Sequence, residues 1–252
     1  MRLFKVSRLS ALVAMVLTGA AIGGGNIVLA ADMQAFAGFW APAQQVAELK
    51  TADGKAPPLK PLARKYYQAF QAAAAKGDRW FDNELDCLPP GMTRLLTQSP
   101  FELIVDPEHV ALWFQWNRFV HVAERRSEHP SSYDYPGYLG HTIAYLQGDA
   151  LVLDSEYFND ETLLDYGGLP HSDKLQLRQV LRLSDANTLV DQLTITDPGA
   201  FTTPWITQLN FQRMPAGTRF TEDVCVERQG ITKLDAHRRR DAGLKKLGLG
   251  EL

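Results

Sequence analysis

From Ser99 onward the chain alternates apolar and polar residues in short segments that turn residues separate. A period of two is typical of strands with one buried face. The pattern predicts nine strands, at Phe101–Val105, Val110–Trp116, Phe119–Glu124, His141–Gln147, Ala150–Phe158, Leu175–Ser184, Thr188–Thr196, Trp205–Arg213 and Arg219–Glu227. A tenth could come from Gly38-Phe39-Trp40. Because no helical pattern lies between these strands, we predict an all-β antiparallel meander that closes into a barrel and leaves no exposed edge.

The rest of the chain adds two pieces to this barrel. Residues 31–98 are expected to form an N-terminal segment with the first strand and one helix, from about Leu62 to Ala75. The apolar residues of this helix recur on one face, which predicts that the segment packs on the barrel. The barrel is expected to occupy residues 99–228, and residues 229–252 to form a polar C-terminal tail.

Residues 1–30 have the three parts of a secretory signal peptide. Arg2, Lys5 and Arg8 form the positive part, an apolar stretch follows, and small residues precede a cleavage site near Ala30. We therefore predict export to the periplasm. A membrane anchor is the alternative, but three glycines interrupt the apolar stretch before it reaches the roughly 20 residues that a span requires. No later apolar run is long enough to cross a bilayer, so no membrane span is expected.

Composition and charge limit the possible partners. Of the 252 residues 45% are hydrophobic, which excludes a disordered chain. Lys and Arg number 26 and Asp and Glu 29; since the predicted signal peptide holds three of the basic residues, the remaining chain has a net charge of −6. A chain with this charge is not expected to bind nucleic acid. A homodimer stays open.

Cys87 and Cys225 are the only cysteines. In an oxidising compartment, a pair so far apart in sequence and without a C-x-x-C motif indicates a structural disulfide. Two buried free thiols are the alternative. We predict one disulfide, which ties down the rigid turn at Pro89-Pro90-Gly91.

One hairpin allows side chains to be placed opposite one another. If Gly148-Asp149 is a two-residue turn, His141 opposes Glu156, and Tyr145 and Asp154 lie on the same face as this pair. The other face is more apolar and carries Thr142, Ala144, Leu146, Leu151, Leu153 and Ser155. If the N-terminal segment covers the outside of the barrel, the polar face points into a pocket. Otherwise the polar face is the solvated outer surface.

The polar face of this hairpin has the residue types of general acid–base catalysis. His141 would transfer a proton, Asp154 or Glu156 would orient it, and Tyr145 would bind or polarise an oxygen of the substrate. A His opposite a Glu is also an ordinary cross-strand ion pair. An outward direction with fully exposed carboxylates would rule out the enzyme interpretation.

Four further residues are candidates for substrate binding. His171 lies in a loop that could reach over the barrel opening toward His141. Tyr138, Trp113 and Trp116 would supply aromatic walls for an apolar or aromatic ligand. The alternatives are a turn stabilised by its own side chains at His171 and ordinary core positions for the aromatic residues.

No motif indicates a cofactor. His141, His171 and Asp154 could form an open metal site, but no H-x-H or H-E-x-x-H spacing accompanies them. The sequence also lacks a G-x-S-x-G motif, a glycine-rich phosphate loop and a dinucleotide fingerprint. We therefore predict neither a metal nor another cofactor.

Several motifs resemble those of a large, largely uncharacterised family of exported bacterial proteins. The family pattern reads G-H-S, W-E-G-D-x-L-V-V-D, P-H-S and D-P-x-x-Y-x-x-P-W. The matching runs are Gly140-His141-Thr142, Gly148 to Asp154, Pro170-His171-Ser172 and Asp197 to Trp205, within a similarity that spans about residues 38 to 228. Gly38-Phe39-Trp40 also resembles the G-x-W of lipocalin-like barrels. These resemblances imply an exported, lipocalin-like (calycin-type) barrel and no particular activity.

The cluster on the hairpin and the neighbouring aromatic residues together favour an enzyme. We expect a cofactor-independent lyase or isomerase that acts on a small hydrophobic or aromatic compound in a barrel pocket. A non-catalytic, lipocalin-like binding protein of the periplasm is the alternative, and a structural or envelope-interaction module is the third hypothesis.

Overall fold

The computed structural model describes residues 32–229 and 242–249, so the predicted signal peptide and the start of the predicted tail lie outside the described residues. The strands are β1 (Gly38–Pro42), β2 (Phe101–Val105), β3 (His109–Phe114), β4 (Val120–Arg125), β5 (His141–Gln147), β6 (Ala150–Glu156), β7 (Gln176–Asp185), β8 (Thr188–Thr196) and β9 (Trp205–Arg213). The helices are α1 (Pro61–Ala74), α2 (Met92–Gln98) and α3 (Cys225–Gln229), with short 3-10 turns at Met33–Phe36, Asn83–Asp86 and Trp116–Arg118. None of the helices in these ranges combines the length and the apolar character needed to cross a bilayer.

The nine strands form one closed barrel. Each strand pairs with its neighbours in chain order, and β1 pairs with both β2 and β9. The predicted all-β barrel is therefore confirmed. Eight of the predicted strands correspond to β2 through β9, Gly38-Phe39-Trp40 is part of β1, and the predicted N-terminal helix is α1.

The ninth predicted strand, Arg219–Glu227, is wrong. Residues 219–224 have no regular structure, and Cys225 begins α3. Its pairing position is already taken, because β1 closes the barrel against β9. Phe220, which gave this segment part of its alternating pattern, packs on the outer-face rings of Phe39 and Trp113 with centroid distances of 5.1 and 5.6 Å.

The expectation of a wholly antiparallel meander is also wrong at one place, because β4 and β5 are parallel. Ala123 aligns with Thr142, and Arg125 with Ala144. Parallel strands cannot be joined by a tight hairpin and need a longer connection that returns the chain to the starting end. Residues 126–140 form this connection, which we call the crossover segment.

The barrel interior is filled by side chains. The apolar inward-facing residues of the nine strands belong to one buried cluster, which includes Phe101, Leu112, Phe114, Leu151, Leu153, Leu189, Leu193 and Phe211. On the predicted hairpin, the face with Ala144, Leu151 and Leu153 points inward. The polar face with His141 therefore lies on the outside of the barrel.

The barrel is closed at β1 by an aromatic residue and a cation. Trp40 is fully buried and donates its indole N–H to the backbone oxygen of Phe36 at 2.9 Å. The guanidinium of Arg213, from the last strand, lies 4.1 Å from the centre of the Trp40 ring and donates to the backbone oxygen of Ala37. These contacts fix the first strand against the last one.

A second buried cluster lies outside the barrel. It joins Tyr66 and Phe70 of α1 with Phe81, Leu163 and Leu244. Tyr66 and Phe70 are thus buried on the apolar face of α1, against residues that lie outside the strands of the barrel. Leu244 belongs to the predicted polar tail, but residues 242–246 are helical and bury this side chain against the N-terminal segment.

The predicted disulfide between Cys87 and Cys225 is present, with the two Cα atoms 5.5 Å apart. It joins the turn that precedes α2 to the first residue of α3. The C-terminal segment beyond the barrel is thereby attached to the N-terminal segment.

Removal of this disulfide tests its contribution to stability. The bond closes a loop with a sequence separation of 138 residues, so the double variant Cys87→Ala/Cys225→Ala should lower the free energy of unfolding by about 2–5 kcal/mol. Urea unfolding measures the change, and reduced unmodified protein should match the variant. An unchanged urea midpoint would contradict the prediction.

The interior also holds a carboxyl group. Asp191 is fully buried on β8, where it accepts a hydrogen bond from the side-chain amide of Gln179 at 2.8 Å. Burial raises the pKa of Asp191 to about 7, against the effect of this hydrogen bond. The folded protein therefore binds the proton more tightly than the unfolded chain, and the stability that this proton supplies declines as the pH rises from about 4 through 7.

Asp191→Asn should remove this pH dependence. Relative to the unmodified protein, the variant should gain roughly 2–3 kcal/mol in unfolding free energy between pH 5 and pH 8, because a neutral amide titrates in neither state. Urea unfolding at the two pH values measures the gain. Asp149→Asn, at an exposed turn, is the matched control and should show no such gain. Parallel curves for Asp191→Asn and the unmodified protein would refute the pKa assignment.

Candidate functional site

The predicted register of the β5–β6 hairpin is confirmed. His141 pairs with Glu156, Ile143 with Asp154, and Gln147 with Ala150 around the Gly148-Asp149 turn. Because the apolar face fills the barrel, His141, Tyr145, Asp154 and Glu156 share the outer face, as the register requires.

The crossover segment covers this outer face. Tyr157, directly after β6, donates its hydroxyl to the backbone oxygen of Pro130 at 2.8 Å, and its backbone oxygen accepts from the N–H of Gly137 at 3.2 Å. His141 is consequently only 8% exposed. The polar face of the hairpin thus points outward, but the crossover segment covers it. Asp154 and Glu156 are half-buried rather than fully exposed.

Backbone geometry on both sides of the hairpin shapes this cover. Gly140 has φ +69°, and a Cβ atom at this position would lie 2.6 Å from the backbone oxygen of Glu156 and 2.9 Å from the Phe158 ring. Tyr157 has φ +60°, a conformation that is unfavourable for a bulky residue and that clusters at functional sites. The absence of a side chain at Gly140 allows the crossover segment to pass close to the end of β6. The backbone of Tyr157 places its ring near His141, at a centroid distance of 6.5 Å.

The centre of the site is a chain of three side chains from β4, β5 and the crossover segment. Nδ1 of His141 lies 3.1 Å from Nδ1 of His129. Nε2 of His141 lies 3.5 Å from a carboxylate oxygen of Glu124. We call Glu124, His141 and His129 the histidine chain. The rings of Tyr133 and Tyr157 adjoin it, with the Tyr133 centroid 4.9 Å from that of His141.

The positions of the atoms restrict where the protons of the histidine chain lie. Two Nδ1 atoms at 3.1 Å can hold only one proton between them. When His141 donates from Nε2 to Glu124, its Nδ1 accepts the proton of His129 Nδ1. Nε2 of His129 is then an unprotonated nitrogen, and this atom is buried and has no hydrogen-bond partner among the described residues. The histidine chain therefore ends in a potential base.

The electrostatics suit this arrangement. Burial lowers the pKa of His129, while the carboxylates of Glu156 and Asp154 oppose the shift. The side chain of Arg126 lowers the pKa of Glu124. At neutral pH the chain therefore has a charged carboxylate at one end and a neutral imidazole at the other.

Asp154 and Tyr145 do not orient His141, because a third residue holds both. Arg178 of β7 donates to the Tyr145 hydroxyl at 2.7 Å and to the Asp154 carboxylate at 2.8 Å. Glu156 accepts from the amide of Gln176 at 3.0 Å. The structure thus brings the four predicted catalytic residues to one surface. The carboxylate that contacts His141, however, is that of Glu124 and not that of Asp154 or Glu156, to which the sequence analysis assigned this role.

His171 has partners elsewhere. Nε2 of His171 lies 2.7 Å from the Thr162 hydroxyl, and Nδ1 lies 2.9 Å from the backbone oxygen of Ser172. Ser172 in turn donates to Asp197 from its backbone and its hydroxyl, both at 2.6 Å. This buried network positions the loop before β7, and the structure does not bring His171 together with His141.

The three predicted aromatic ligand contacts lie apart from the histidine chain. Trp113 packs on Phe220, and Tyr138 lies next to the carboxylate of Glu161, while burial raises the Tyr138 pKa to about 12. Trp116 donates its indole N–H to Glu84 at 3.0 Å and lines a separate cavity. Within the described ranges, no three His, Cys, Asp or Glu side chains form a group that could hold a metal ion.

Sequence reasoning missed His129, Glu124 and Arg178. His129 lies in the crossover segment, for which no element was predicted, and Glu124 was the last residue of a predicted strand. The signal available was the length of the connection between β4 and β5, since a stretch of this size permits a parallel pair. Arg178 is on the outer face of β7 opposite Asp154, which cross-strand pairing from β6 to β7 would have indicated.

Comparison with known proteins identifies no relatives: no protein-family model, curated protein or solved structure matches the chain at a significant level.

The protonation of the histidine chain is open to measurement by NMR. His129 should titrate below 6.5, because burial lowers its pKa, and its neutral form should carry the proton on Nδ1. Long-range proton–nitrogen spectra report both quantities, and the missing signals of His129→Gln assign the resonances. A midpoint at or above 6.5, or a neutral form protonated on Nε2, would contradict the arrangement.

Proposed function

We propose that the protein is a cofactor-independent acid–base enzyme, a lyase or isomerase that acts on a small hydrophobic or aromatic compound. The observation that carries the proposal is the histidine chain, which ends in the buried, unpartnered Nε2 of His129. Because side chains fill the barrel interior, we propose a site on the outer face of β5 and β6, beneath the crossover segment, instead of one in the lumen.

In the proposed reaction His129 is the base. Nε2 of His129 takes a proton from the substrate, and the nearby carboxylates of Asp154 and Glu156 stabilise the imidazolium that results. Return of the proton to a different substrate atom completes an isomerisation. If instead a bond β to the deprotonated atom breaks, the leaving group receives the proton and the reaction is a lyase reaction. Neither route transfers electrons to or from the protein.

Glu124 and His141 are positioning residues in this proposal. The carboxylate fixes the proton of His141 on Nε2, so that Nδ1 of His141 can accept from His129. That contact keeps the proton of neutral His129 on Nδ1 and leaves Nε2 free for the substrate.

The rings near the histidine chain support an aromatic or apolar substrate. Tyr133 and Tyr157 have centroids 5.7 Å apart, and Tyr133 is 40% exposed. Aromatic side chains of this kind offer a flat apolar surface. Tyr133 lies in the crossover segment, so a shift of that segment would open the site.

Export to the periplasm is part of the proposal. The N-terminal residues have the charge and apolar pattern of a secretory signal, and the Cys87–Cys225 disulfide is suited to an oxidising compartment. A periplasmic enzyme without a cofactor needs no supply of nucleotides or reduced metals.

Turnover of candidate substrates tests the proposal. The protein is incubated with a panel of small aromatic compounds that carry an acidic C–H or O–H, and products are followed by mass spectrometry. His129→Gln should lower kcat/KM by about 10²- to 10⁴-fold, since the amide cannot act as a base. His109→Gln, at a position 42% exposed, is the matched control and should keep full activity.

A substitution of Glu124 tests whether this residue positions His141 or only supports the fold. Glu124→Gln should lower kcat and shift its pH profile, because His141 loses the charge that fixes its proton. Equal turnover by His129→Gln and His109→Gln would refute the role of the histidine chain. Stoichiometric binding without product across the panel would instead identify a carrier.

A further inference from the structure

A cavity of about 280 Å³ lies outside the barrel and away from the histidine chain. Its walls come from α2, the two residues between α2 and β2, the turn after β3, Tyr166 and the C-terminal segment at 221–228. The lining residues are Arg94, Leu95, Gln98, Ser99, Pro100, Gln115, Trp116, Tyr166, Thr221, Glu222, Asp223 and Arg228. A volume near 300 Å³ is at the small end of the range for small-molecule sites.

A buried cation lines this cavity. The side chain of Arg94 is 1% exposed and donates to both oxygens of Asp82 and to Glu84. Its Nε is buried and has no hydrogen-bond partner in the described part of the chain. A buried N–H donor without a partner costs about 1–3 kcal/mol, so an acceptor supplied by a ligand would be favourable here.

The charges at the cavity are paired. Arg94 is opposed by Asp82 and Glu84, and Arg79 also bonds Asp82. At the rim, Asp223 pairs with Arg228 and Glu222 with Arg118. Two cations thus face two carboxylates in the group around Arg94, and another two cations face two carboxylates at the rim. Because these charges balance, the cavity favours an uncharged ligand.

The walls are aromatic and apolar. The ring of Tyr166 lies over the guanidinium of Arg94, at 4.0 Å from its centre, and Trp116 is held by its bond to Glu84. Leu95 and Pro100 add apolar surface, and the side-chain amide of Gln115 adds a polar group. Rings fixed in this way provide flat surfaces for stacking.

The outer wall is fixed in place before any ligand binds. Cys225 is tied to Cys87 by the disulfide, and its N–H donates to the side-chain oxygen of Asn117 at 3.1 Å. Asp223 accepts from the backbone N–H of Asn117 and bonds Arg228. A wall anchored at several points loses little freedom on binding, which favours affinity.

We infer that this cavity binds an uncharged, planar aromatic compound with a hydrogen-bond-accepting oxygen, such as a phenolic ketone or aldehyde. The ring lies between Trp116 and Tyr166, and the oxygen accepts from Nε of Arg94. The site is separate from the histidine chain and does not depend on the proposed catalysis.

Calorimetric titration with 4-hydroxyacetophenone tests the inference on the oxidised protein. The compound should bind with one site per chain. Benzoate, which is negatively charged, and cyclohexanone, which has no aromatic ring, should each bind at least about tenfold more weakly. Gln115→Trp fills the cavity and should weaken binding at least about tenfold. Gln192→Trp makes the same change on the exposed outer face of β8 and should leave the affinity unchanged.

Two measurements locate the ligand. The Nε–H resonance of Arg94 should shift on titration in the unmodified protein, and His129→Gln should bind 4-hydroxyacetophenone as the unmodified protein does. Absence of binding at millimolar concentration, equal affinity of Gln115→Trp and Gln192→Trp, or an unmoved Arg94 resonance would each overturn the inference. Binding lost in His129→Gln would place the compound at the histidine chain and overturn it as well.

Discussion

The parallel pairing of β4 with β5 is the constraint on which the candidate site depends. A hairpin in its place would have left the outer face of β5 and β6 open to water. The crossover segment instead returns along that face, where its residues Pro130 and Gly137 form hydrogen bonds with Tyr157. The same path brings His129 to His141 and aligns Glu124 beside them, so one feature of strand order supplies both the cover and two of the three members of the histidine chain.

Local sequence signals predicted most of the fold. The register of the β5–β6 hairpin followed from the Gly148-Asp149 turn, because a two-residue turn fixes every pair beyond it. The disulfide followed from the number of cysteines and the expected compartment. The register depends only on residues close to the turn. The disulfide has only one possible pairing, because the chain has two cysteines.

Non-local contacts explain what could not be predicted. The sequence identified the apolar face of the hairpin, but its inward direction depends on side chains from all nine strands that complete the core. His129 and Glu124 became neighbours of His141 through the parallel pair, which no turn specifies. The segment at 219–227 alternates as a strand does, yet it found no free edge once β1 had paired with β9, and the disulfide held its end against the N-terminal segment.

The interior of the barrel and its covered outer face differ in the partners that they give to ionisable groups. Inside, burial lowers the pKa of His121 to about 4 and raises that of Asp191 to about 7, so both groups are driven toward their neutral forms. His121 contacts the hydroxyl of Thr142, which in turn contacts the hydroxyl of Ser155. Outside, Glu124 is kept ionised by Arg126 and half exposed, while His129 is buried enough to stay neutral. The covered outer face therefore holds a fixed charge at one end of the histidine chain and a neutral imidazole at the other.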